Sequence, residues 1–332
     1  MDYAALVNCC QAFLSEGFSG AIALTSSERV VFAEAAGCRN WAEGLPNRPD
    51  TRFGIASGTK IFTALAVLTL MDKGLADKNT LLCELLPGLF PNFDRRITVG
   101  QLLAHTSGFR DYFDEEEQPV SDFAKLWDEH PVYRMLAPSD FLPLFAGNGM
   151  KTAPGERFCY NNAGYIVLGL VVEKLSGVSY ADYVQQEILV PLGLTDSGFF
   201  CADRLPGNTA LGYLAEEPGV SNIFSIPAKG GPDGGLYTTA ADLDRFWRGF
   251  GKLLGPETLT EMLAPQAQIG SGRAYGYGVY LEAGCCFITG GDPGVDMFSA
   301  WYPEAGLTLT ALSNNETNTW PLLREACSLL LA

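Results

Sequence analysis

The chain has 332 residues, of which 47% are hydrophobic and 18% charged, so it can bury a large core without a partner. Its formal net charge of -16 repels phosphate groups, and no cluster of Lys and Arg offsets this charge locally. The composition therefore predicts a globular protein and disfavours nucleic acids and anionic membranes as partners.

The N-terminal segment does not have the pattern of an export signal. Position 2 is acidic, and no basic residues precede an apolar stretch. No uninterrupted apolar run elsewhere is long enough to span a bilayer. The nine cysteines are odd in number and lack C-x-x-C spacing, which favours reduced thiols over a disulfide framework or a zinc site. We therefore expect a cytoplasmic protein without a membrane span.

The first elements in chain order are a helix and two strands. Residues 2–16 place apolar side chains at helical spacing, and Gly17 ends this pattern. Two short β-type runs follow at 20–24 and 29–33, separated by Thr, Ser and Glu residues. This arrangement predicts a β-hairpin after the first helix.

The central part of the chain is predicted to be mainly helical. Gly and Pro residues separate several segments with helical periodicity. The predicted helices are 61–73, 99–105, 138–145, 162–175 and 180–188. We interpret the acidic stretch 111–129 as a solvated loop, with a lid beside a cleft as the alternative.

Strands return after a glycine-rich run at 230–235. A helix is predicted at 240–250, and the remaining predicted elements are strands 275–282, 286–289, 297–302 and 307–313 and a helix at 320–331. Strands at both ends with helices between them indicate an α+β fold, in which an antiparallel sheet built from both termini carries flanking helices and an inserted mainly α lobe. We place the α/β sheet lobe at 1–56 and 230–332, the α lobe at 57–229, and an active-site cleft between them.

The first candidate for chemistry is the S-x-x-K motif of Ser57 and Lys60, where a strand-like segment gives way to a helix. Residues three apart share a helix face, so the Lys60 side chain can reach the Ser57 hydroxyl. A lysine can take the serine proton if desolvation or neighbouring cations lower its pKa from about 10.4. The motif predicts an activated nucleophile, with a helix-capping serine as the structural alternative.

Two polar residues stand at the entrance of the predicted helix 162–175. The Tyr160 phenol can share a proton with Lys60 and deliver it to a leaving group. The Asn162 amide can orient Lys60 or a substrate carbonyl. The alternative for this pair is an asparagine cap beside a half-buried aromatic ring.

Small residues follow the predicted strand 286–289. Thr289, Gly290 and Gly291 would let a substrate lie along an exposed strand. The Gly291 N–H can join that of Ser57 in an oxyanion hole for a tetrahedral intermediate. We therefore assign these residues to substrate or oxyanion binding, with a simple turn as the alternative.

Only His105 and His130 are available as bases for a Ser-His-Asp triad. His105 lies at a predicted helix end, where its imidazole is expected to satisfy backbone groups, and His130 lies in the acidic loop. Two histidines without carboxylates at ligand spacing predict no metal site. No motif implies a cofactor.

The types and order of four residues resemble the motifs of the serine β-lactamase-like superfamily. These residues are Ser57, Lys60, Tyr160 and Asn162. That superfamily includes class C β-lactamases, low-molecular-weight penicillin-binding proteins, D-aminopeptidases and related carboxylesterases. Blocks such as FGIASGTKIFTALAVLTLMDKGLADKNT and GGLYTTAADLDRFW extend the resemblance over much of 53–247. The resemblance implies a β-lactamase/transpeptidase-like fold, acylation of Ser57, and proton handling by Lys60 and Tyr160.

The third motif departs from the family pattern, because Ile288 stands where the family usually has Lys or His. A cation there would bind a substrate carboxylate, so its loss favours an uncharged ester or amide over a β-lactam or D-Ala-D-Ala. The leading hypothesis is hydrolysis of a small ester, amide or peptide-like substrate through an acyl-enzyme. The alternatives are a catalytically silent ligand-binding or sensor protein, and a β-lactamase or D,D-peptidase in which Lys229 or Arg273 replaces the lost cation.

Overall fold

Both ends of the chain contribute strands to one antiparallel sheet. The computed structural model describes residues 3–118, 120–215, 219–270 and 272–331. The strands are β1 (Gly20–Ser26), β2 (Val30–Ala36), β3 (Cys38–Asn40), β4 (Leu45–Pro46), β5 (Phe53–Gly54), β6 (Tyr237–Thr238), β7 (Ala267–Gly270), β8 (Arg273–Tyr275), β9 (Tyr280–Glu282), β10 (Cys285–Asp292), β11 (Val295–Tyr302) and β12 (Leu307–Ser313). Eight of these described strands form the main sheet in the order β2–β1–β12–β11–β10–β9–β8–β7, and each neighbouring pair is antiparallel. The predicted α+β class, with an antiparallel sheet built from both termini, is confirmed.

Helices precede, interrupt and follow the strands. The α-helices are α1 (Ala4–Ser15), α2 (Lys60–Asp72), α3 (Leu82–Leu85), α4 (Val99–Leu103), α5 (Leu126–Glu129), α6 (Leu142–Phe145), α7 (Asn162–Ser176), α8 (Tyr180–Val184), α9 (Ala240–Gly249), α10 (Pro256–Met262) and α11 (Trp320–Leu331). Short 3₁₀ segments lie at Ala56–Thr59, Val120–Lys125, Val132–Arg134, Pro138–Phe141, Asn222–Phe224 and Phe250–Leu253, and a π-helical turn lies at Gln185–Leu189. Helix α1 corresponds to the predicted helix 2–16, of which residue 2 lies outside the described residues.

The two faces of the sheet belong to different hydrophobic clusters, because side chains alternate along each strand. Ile22 and Phe287 belong to a cluster that includes residues of the terminal helices α1 and α11. Ala21 and Ile288 belong to the larger cluster around α2 and α7. Covering both faces explains why β12 is buried along its whole length. The exact lobe boundaries stay a prediction.

Two central helices position the candidate site residues. Helix α2 is apolar on all sides, and its residues from Lys60 to Leu70 are buried, which is typical of a helix inside a large core. Helix α7 begins at an Asn161 cap, whose side chain accepts from the Gly164 amide, and ends at Gly177 with a φ of 76°. The two helices pack against each other, so the start of α2 lies next to the start of α7.

Several predicted boundaries differ from the structure for local reasons. The predicted strand 275–282 is two strands, β8 and β9, because the chain turns between them at Gly278 with a φ of 75°. The predicted helix 180–188 changes to a π-helical turn after α8, and the predicted helix 99–105 ends at Leu103. Strand β5 lies in the strand-like segment predicted before Ser57, whereas β3, β4, β6 and β7 have no counterpart among the predictions, because such short strands show too little alternation to detect.

The helices differ in whether their length and hydropathy would allow them to cross a membrane. Within the described ranges, no helix by itself is long and apolar enough to cross a bilayer. Helix α7 and the segment that follows it to Leu189 reach the required length and composition only together, and they are bent by 77°.

Candidate active site

Ser57 lies at a strained junction between strand β5 and helix α2. Ala56, just before it, has a φ of 43°, a left-handed conformation that costs a non-glycine residue about 1–3 kcal/mol. The Ala56 carbonyl oxygen accepts from the Thr59 hydroxyl at 2.7 Å and from the Gly235 amide at 3.2 Å, which holds this conformation. The junction places Ser57 in the 3₁₀ turn before α2 and on the wall of a cavity of about 670 Å³.

Lys60 is buried next to Ser57 and is only 2% exposed. Its Nζ lies 2.8 Å from Ser57 Oγ, 2.7 Å from Asn162 Oδ1 and 2.6 Å from the Asp233 carbonyl oxygen. Burial lowers the pKa of Lys60, and the negative charges of Asp233 and Glu115 oppose this shift. A buried lysine with a lowered pKa, in contact with a serine hydroxyl, is suited to accept the proton of that hydroxyl.

Tyr160 completes the group of predicted catalytic side chains. The Lys60 Nζ lies 4.9 Å from the centroid of the Tyr160 ring. Burial raises the pKa of Tyr160 well above its usual value, and a hydrogen bond with Ser57 acts in the opposite direction. The Tyr160 phenol is therefore protonated at neutral pH and lies within reach of the nucleophile.

The prediction that His105 satisfies backbone groups is confirmed. Its Nδ1 accepts from the Asn161 amide at 3.0 Å, and its carbonyl oxygen accepts from the Cys159 amide at 2.7 Å. Burial lowers the pKa of His105 well below its usual value, and the charge of Lys60 acts in the same direction. The imidazole is therefore neutral, and both chain neighbours of Tyr160 are hydrogen-bonded to His105, Asn161 to its ring and Cys159 to its backbone carbonyl.

The third motif runs along β10 against the nucleophile turn. A Cβ at Gly290 would lie 2.8 Å from the Ser57 nitrogen, so only glycine fits at this position. Gly291 follows on the cavity wall. The Thr289 hydroxyl donates to the Met297 carbonyl oxygen at 3.0 Å, and Thr289 is not among the described residues of the cavity wall. Gly290 and Gly291 thus lie near Ser57, whereas the Thr289 side chain is hydrogen-bonded to strand β11.

Ile288, at the position of the family cation, is buried in the hydrophobic core. Neither Lys229 nor Arg273 is among the described residues that line the cavity at Ser57. Arg273 instead forms an ion pair with Glu282 at 3.1 Å. The described part of the chain therefore offers neither of the two replacement cations that the sequence left open.

The cavity beside Ser57 combines aromatic and acidic side chains. Its aromatic residues include Tyr112, Phe113, Phe123, Trp127 and Phe141. Its acidic residues are Glu115, Asp233, Asp292 and Glu316, and no Lys, Arg or His is present among the wall residues that the structure describes. The cavity is thus suited to an apolar group and to a positive charge.

The interpretation of the acidic stretch 111–129 as a solvated loop is wrong for its first part. The Asp111 carboxylate caps helix α7 by accepting from the Asn162 amide at 2.6 Å and the Ala163 amide at 2.8 Å. Burial raises the pKa of Asp111 to about 7. Aromatic residues of the same stretch line the cavity, so this stretch packs against the rest of the protein. Pro119 lies outside the described residues, and a lid function stays a prediction.

Polar cavity residues that sequence reasoning missed are Tyr112, Glu115, Asp233, Asp292 and Glu316. The Asp233 backbone accepts from Lys60, and the Asp233 carboxylate accepts from the Tyr112 hydroxyl. Asp292 lines the cavity next to the third-motif glycines. The density of glycine at 230–235 was the available signal for Asp233, because glycines allow the backbone to approach the nucleophile turn closely.

Potential metal ligands and thiols are scattered over the described residues. In the described ranges, no group of three His, Cys, Asp or Glu side chains could hold a metal ion. All nine cysteines are free thiols. The polar groups around the Ser57 hydroxyl are therefore the amine of a lysine, the phenol of a tyrosine, amides and carboxylates.

Comparison with known proteins identifies the family. The beta-lactamase family model matches residues 10–327 of the chain. The chain belongs to the beta-lactamase family. The crystal structure of a penicillin-binding protein from Bacillus halodurans is 38% identical to this family member, superposes on it with a TM-score of 0.90, and is matched over 98% of this chain and 100% of that one.

Two further solved structures are similar over nearly the whole of this beta-lactamase family member. An octameric penicillin-binding protein homologue from Pyrococcus abyssi is 26% identical, with a TM-score of 0.83 over 100% of this chain and 78% of that chain. A D-stereospecific amidohydrolase from Streptomyces sp. is 25% identical, with a TM-score of 0.81 over 99% of both chains. The implied β-lactamase/transpeptidase fold and membership in a family of serine hydrolases are confirmed.

Proposed function

We propose that this protein is a serine acyl hydrolase that cleaves a small amide, ester or peptide-like substrate through an acyl-enzyme on Ser57. The observation that supports this proposal is the 2.8 Å contact between Ser57 Oγ and the buried Lys60 Nζ. A neutral amine has two N–H groups and one lone pair. These match the two oxygen acceptors, on Asn162 and Asp233, and the hydroxyl proton of Ser57.

Acylation begins with attack of Ser57 Oγ on the carbonyl carbon of the scissile bond, while the hydroxyl proton passes to Lys60. The substrate carbonyl oxygen becomes negative, and we assign the amides of Ser57 and Gly291 to its stabilisation. The Tyr160 phenol then donates its proton to the leaving amine or alcohol and regains one from Lys60. The C–N or C–O bond breaks, and the acyl group remains on Ser57 as an ester.

Deacylation repeats these steps with water as the nucleophile. Water attacks the ester carbonyl carbon and transfers a proton to Lys60, again with the oxyanion at the Ser57 and Gly291 amides. The bond between the acyl carbon and Ser57 Oγ breaks, the Ser57 oxygen takes up the proton held by Lys60, and the carboxylic acid leaves. The Asn162 amide, 2.7 Å from Lys60 Nζ, keeps the lysine aligned with the nucleophile in both halves of the reaction.

A catalytically silent ligand-binding protein is the second candidate, because Ile288 occupies the position of the family cation. The same apolar residue argues against a β-lactamase or a D,D-peptidase, whose substrates carry a carboxylate. The absence of the two replacement cations from the described cavity wall supports this argument.

Intact-protein mass spectrometry tests the proposal. The protein is incubated with a fluorophosphonate and, separately, with benzylpenicillin, and Ser57→Ala serves as the control. We expect a fluorophosphonate adduct that is absent from Ser57→Ala, and a much slower or absent penicilloyl adduct. If neither reagent labels the folded protein, the ligand-binding function replaces the proposed one.

A further inference from the structure

The cavity at Ser57 has an excess of negative charge. The carboxylates of Glu115, Asp233, Asp292 and Glu316 lie on its wall, and none of them forms an ion pair within the described part of the chain. Lys60 lies close by, but its Nζ is hydrogen-bonded to a hydroxyl, a side-chain amide and a backbone carbonyl, and to no carboxylate. The negative charge of the cavity is therefore not neutralised by a direct contact.

Asp292 differs from the other three carboxylates in its hydrogen bonds. Glu316 accepts from two backbone amides, Asp233 from a tyrosine hydroxyl, and Glu115 from an asparagine amide. Asp292 accepts from no donor in the described ranges, and burial together with the charge of Asp233 raises its pKa to about 7, against the opposing charge of Lys60. Both oxygens of Asp292 are thus available to a ligand.

A carboxylate that loses water without gaining a donor costs free energy, and a ligand with a positive charge removes that cost. The position of Asp292 makes such a ligand part of the reaction site, because it directly follows the glycine at the nucleophile. Ile288 at the position of the family cation acts in the same direction, since it brings no positive charge to the carboxylates, and the described wall residues include no Lys or Arg. The charge pattern of the third motif is therefore opposite to one that binds a substrate carboxylate.

The aromatic part of the cavity defines the rest of the ligand. Tyr112, Phe113 and Trp127 provide an apolar wall on the side of the acidic stretch. Aromatic faces also attract cations, so they do not oppose binding of a charged amine. A volume of about 670 Å³ accommodates a small molecule that combines an ammonium with an apolar side chain.

We propose that Asp292, supported by Asp233, binds the protonated amine of the substrate, so that the preferred substrates are amides and esters carrying a primary ammonium beside an apolar side chain. This inference rests on the proposed acyl-enzyme function, because it names the substrate class of the same cavity. The ammonium donates to the free oxygens of Asp292, and the scissile carbonyl lies at Ser57 and Gly291.

A matched set of substrates tests the inference by kinetics. The methyl esters of phenylalanine and of N-acetylphenylalanine, each as both enantiomers, differ only in the charge of the amine. Measurement at about pH 7.3 lies above the Asp292 pKa of about 7 and below the pKa of about 7.7–8.0 of an α-amino group, so both groups are largely charged. We expect kcat/KM to be about tenfold or more higher for the free amine than for the N-acetyl ester, the size expected for a hydrogen bond to a charged group. A ratio of one or below overturns the inference.

Variants assign the effect to the acidic residues. In Asp292→Asn and in Asp233→Asn the ratio of the two kcat/KM values should fall toward one. The ratio is the relevant quantity, because any effect of the lost charge on Lys60 changes both substrates equally. Asp50→Asn removes an exposed carboxylate that is paired with Arg48, and it should keep the ratio of the unchanged protein. Persistence of the full ratio in both cavity variants overturns the assignment.

Calorimetry separates failure of the inference from failure of the proposed function. The Ser57→Ala protein is titrated with phenylalanine amide and with N-acetylphenylalanine amide, which requires no turnover. The ammonium site is supported if the free amine binds more tightly than the N-acetyl amide and if this difference is lost in the double variant Ser57→Ala with Asp292→Asn. This holds even if the fluorophosphonate fails to label Ser57. Labelling of Ser57 with equal binding of both amides overturns the ammonium site and leaves the acyl hydrolase intact.

Discussion

The ring of His105 packs against the ring of Tyr160 with their centroids 4.4 Å apart, and the residues on both sides of Tyr160 are hydrogen-bonded to His105. These contacts restrict both the backbone and the ring of Tyr160. The Tyr160 phenol is thereby held near Lys60 and Ser57. If Tyr160 handles a proton in the proposed reaction, we expect His105 to act as a positioning residue through these contacts.

Replacement of His105 should reduce turnover by loosening Tyr160. We expect His105→Ala to lower kcat more than it changes KM, and to lower the free energy of unfolding by about 1–3 kcal/mol, because the Asn161 amide loses its acceptor. His105→Asn restores an acceptor and should recover part of both losses. Urea unfolding and steady-state kinetics measure these effects. If His105→Ala lowers kcat by the same factor in a Tyr160→Phe background, the effect does not pass through Tyr160.

Replacement of Lys60 by a permanently charged side chain should greatly reduce the activity. Arginine cannot deprotonate in a protein, so Lys60→Arg removes the base while keeping a cation. We expect kcat/KM to fall by about 10²-fold to 10⁴-fold, the usual range for a lost general base. The rate of fluorophosphonate labelling should fall in parallel. Lys73→Arg, at a partly exposed lysine paired with Glu187, is the matched control. Retention of half the activity by Lys60→Arg would exclude lysine as the base.

Gly290 should tolerate no side chain. A Cβ there would lie 2.3 Å from the Ile55 carbonyl oxygen and 2.8 Å from the Ser57 nitrogen, so Gly290→Ala must displace the nucleophile turn or β10. We expect loss of Ser57 labelling and a decrease in unfolding free energy of about 1–3 kcal/mol, typical of overpacking. Gly147→Ala is the control, because a Cβ at Gly147 meets no atom within 4 Å. Normal labelling of Gly290→Ala would contradict the close packing of β10 on Ser57.

Asp292 should make stability depend on pH. Its pKa rises from 3.8 to about 7 on folding, so between these values the folded protein binds more protons than the unfolded chain. The contribution of Asp292 to the free energy of unfolding therefore falls as the pH rises from about 4 to about 7.

We expect Asp292→Asn to be more stable than the unchanged protein at pH 8, by about 1–3 kcal/mol for a desolvated carboxylate without a donor. The difference should disappear at about pH 4, where the carboxyl is protonated in the folded protein. Urea unfolding at both pH values measures it. Asp50→Asn, an exposed position, should show no such pH-dependent gain. Equal stability of Asp292→Asn and the unchanged protein at pH 8 would show that Asp292 is well solvated.

Local patterns determined the elements of this protein and the first pair of the site. Hydrophobic periodicity was enough to predict α2, α7 and most strands of the C-terminal sheet, because side-chain spacing in these elements repeats within a few residues. Ser57 and Lys60 are three residues apart at the start of a helix, so their contact is also a local property. The departure at Ile288 was equally visible in the sequence.

Only the tertiary structure decided which groups face the nucleophile. The Asp233 carbonyl reaches Lys60, Asp111 caps α7, and Asp292 lines the cavity without a hydrogen-bond donor among the described residues. The Thr289 hydroxyl turns to β11 instead of the cavity. Each of these outcomes depends on how helices and loops pack against the sheet, and local periodicity does not specify those distances. The charge of the cavity is therefore a property of the fold, set by packing between segments that are distant in the chain.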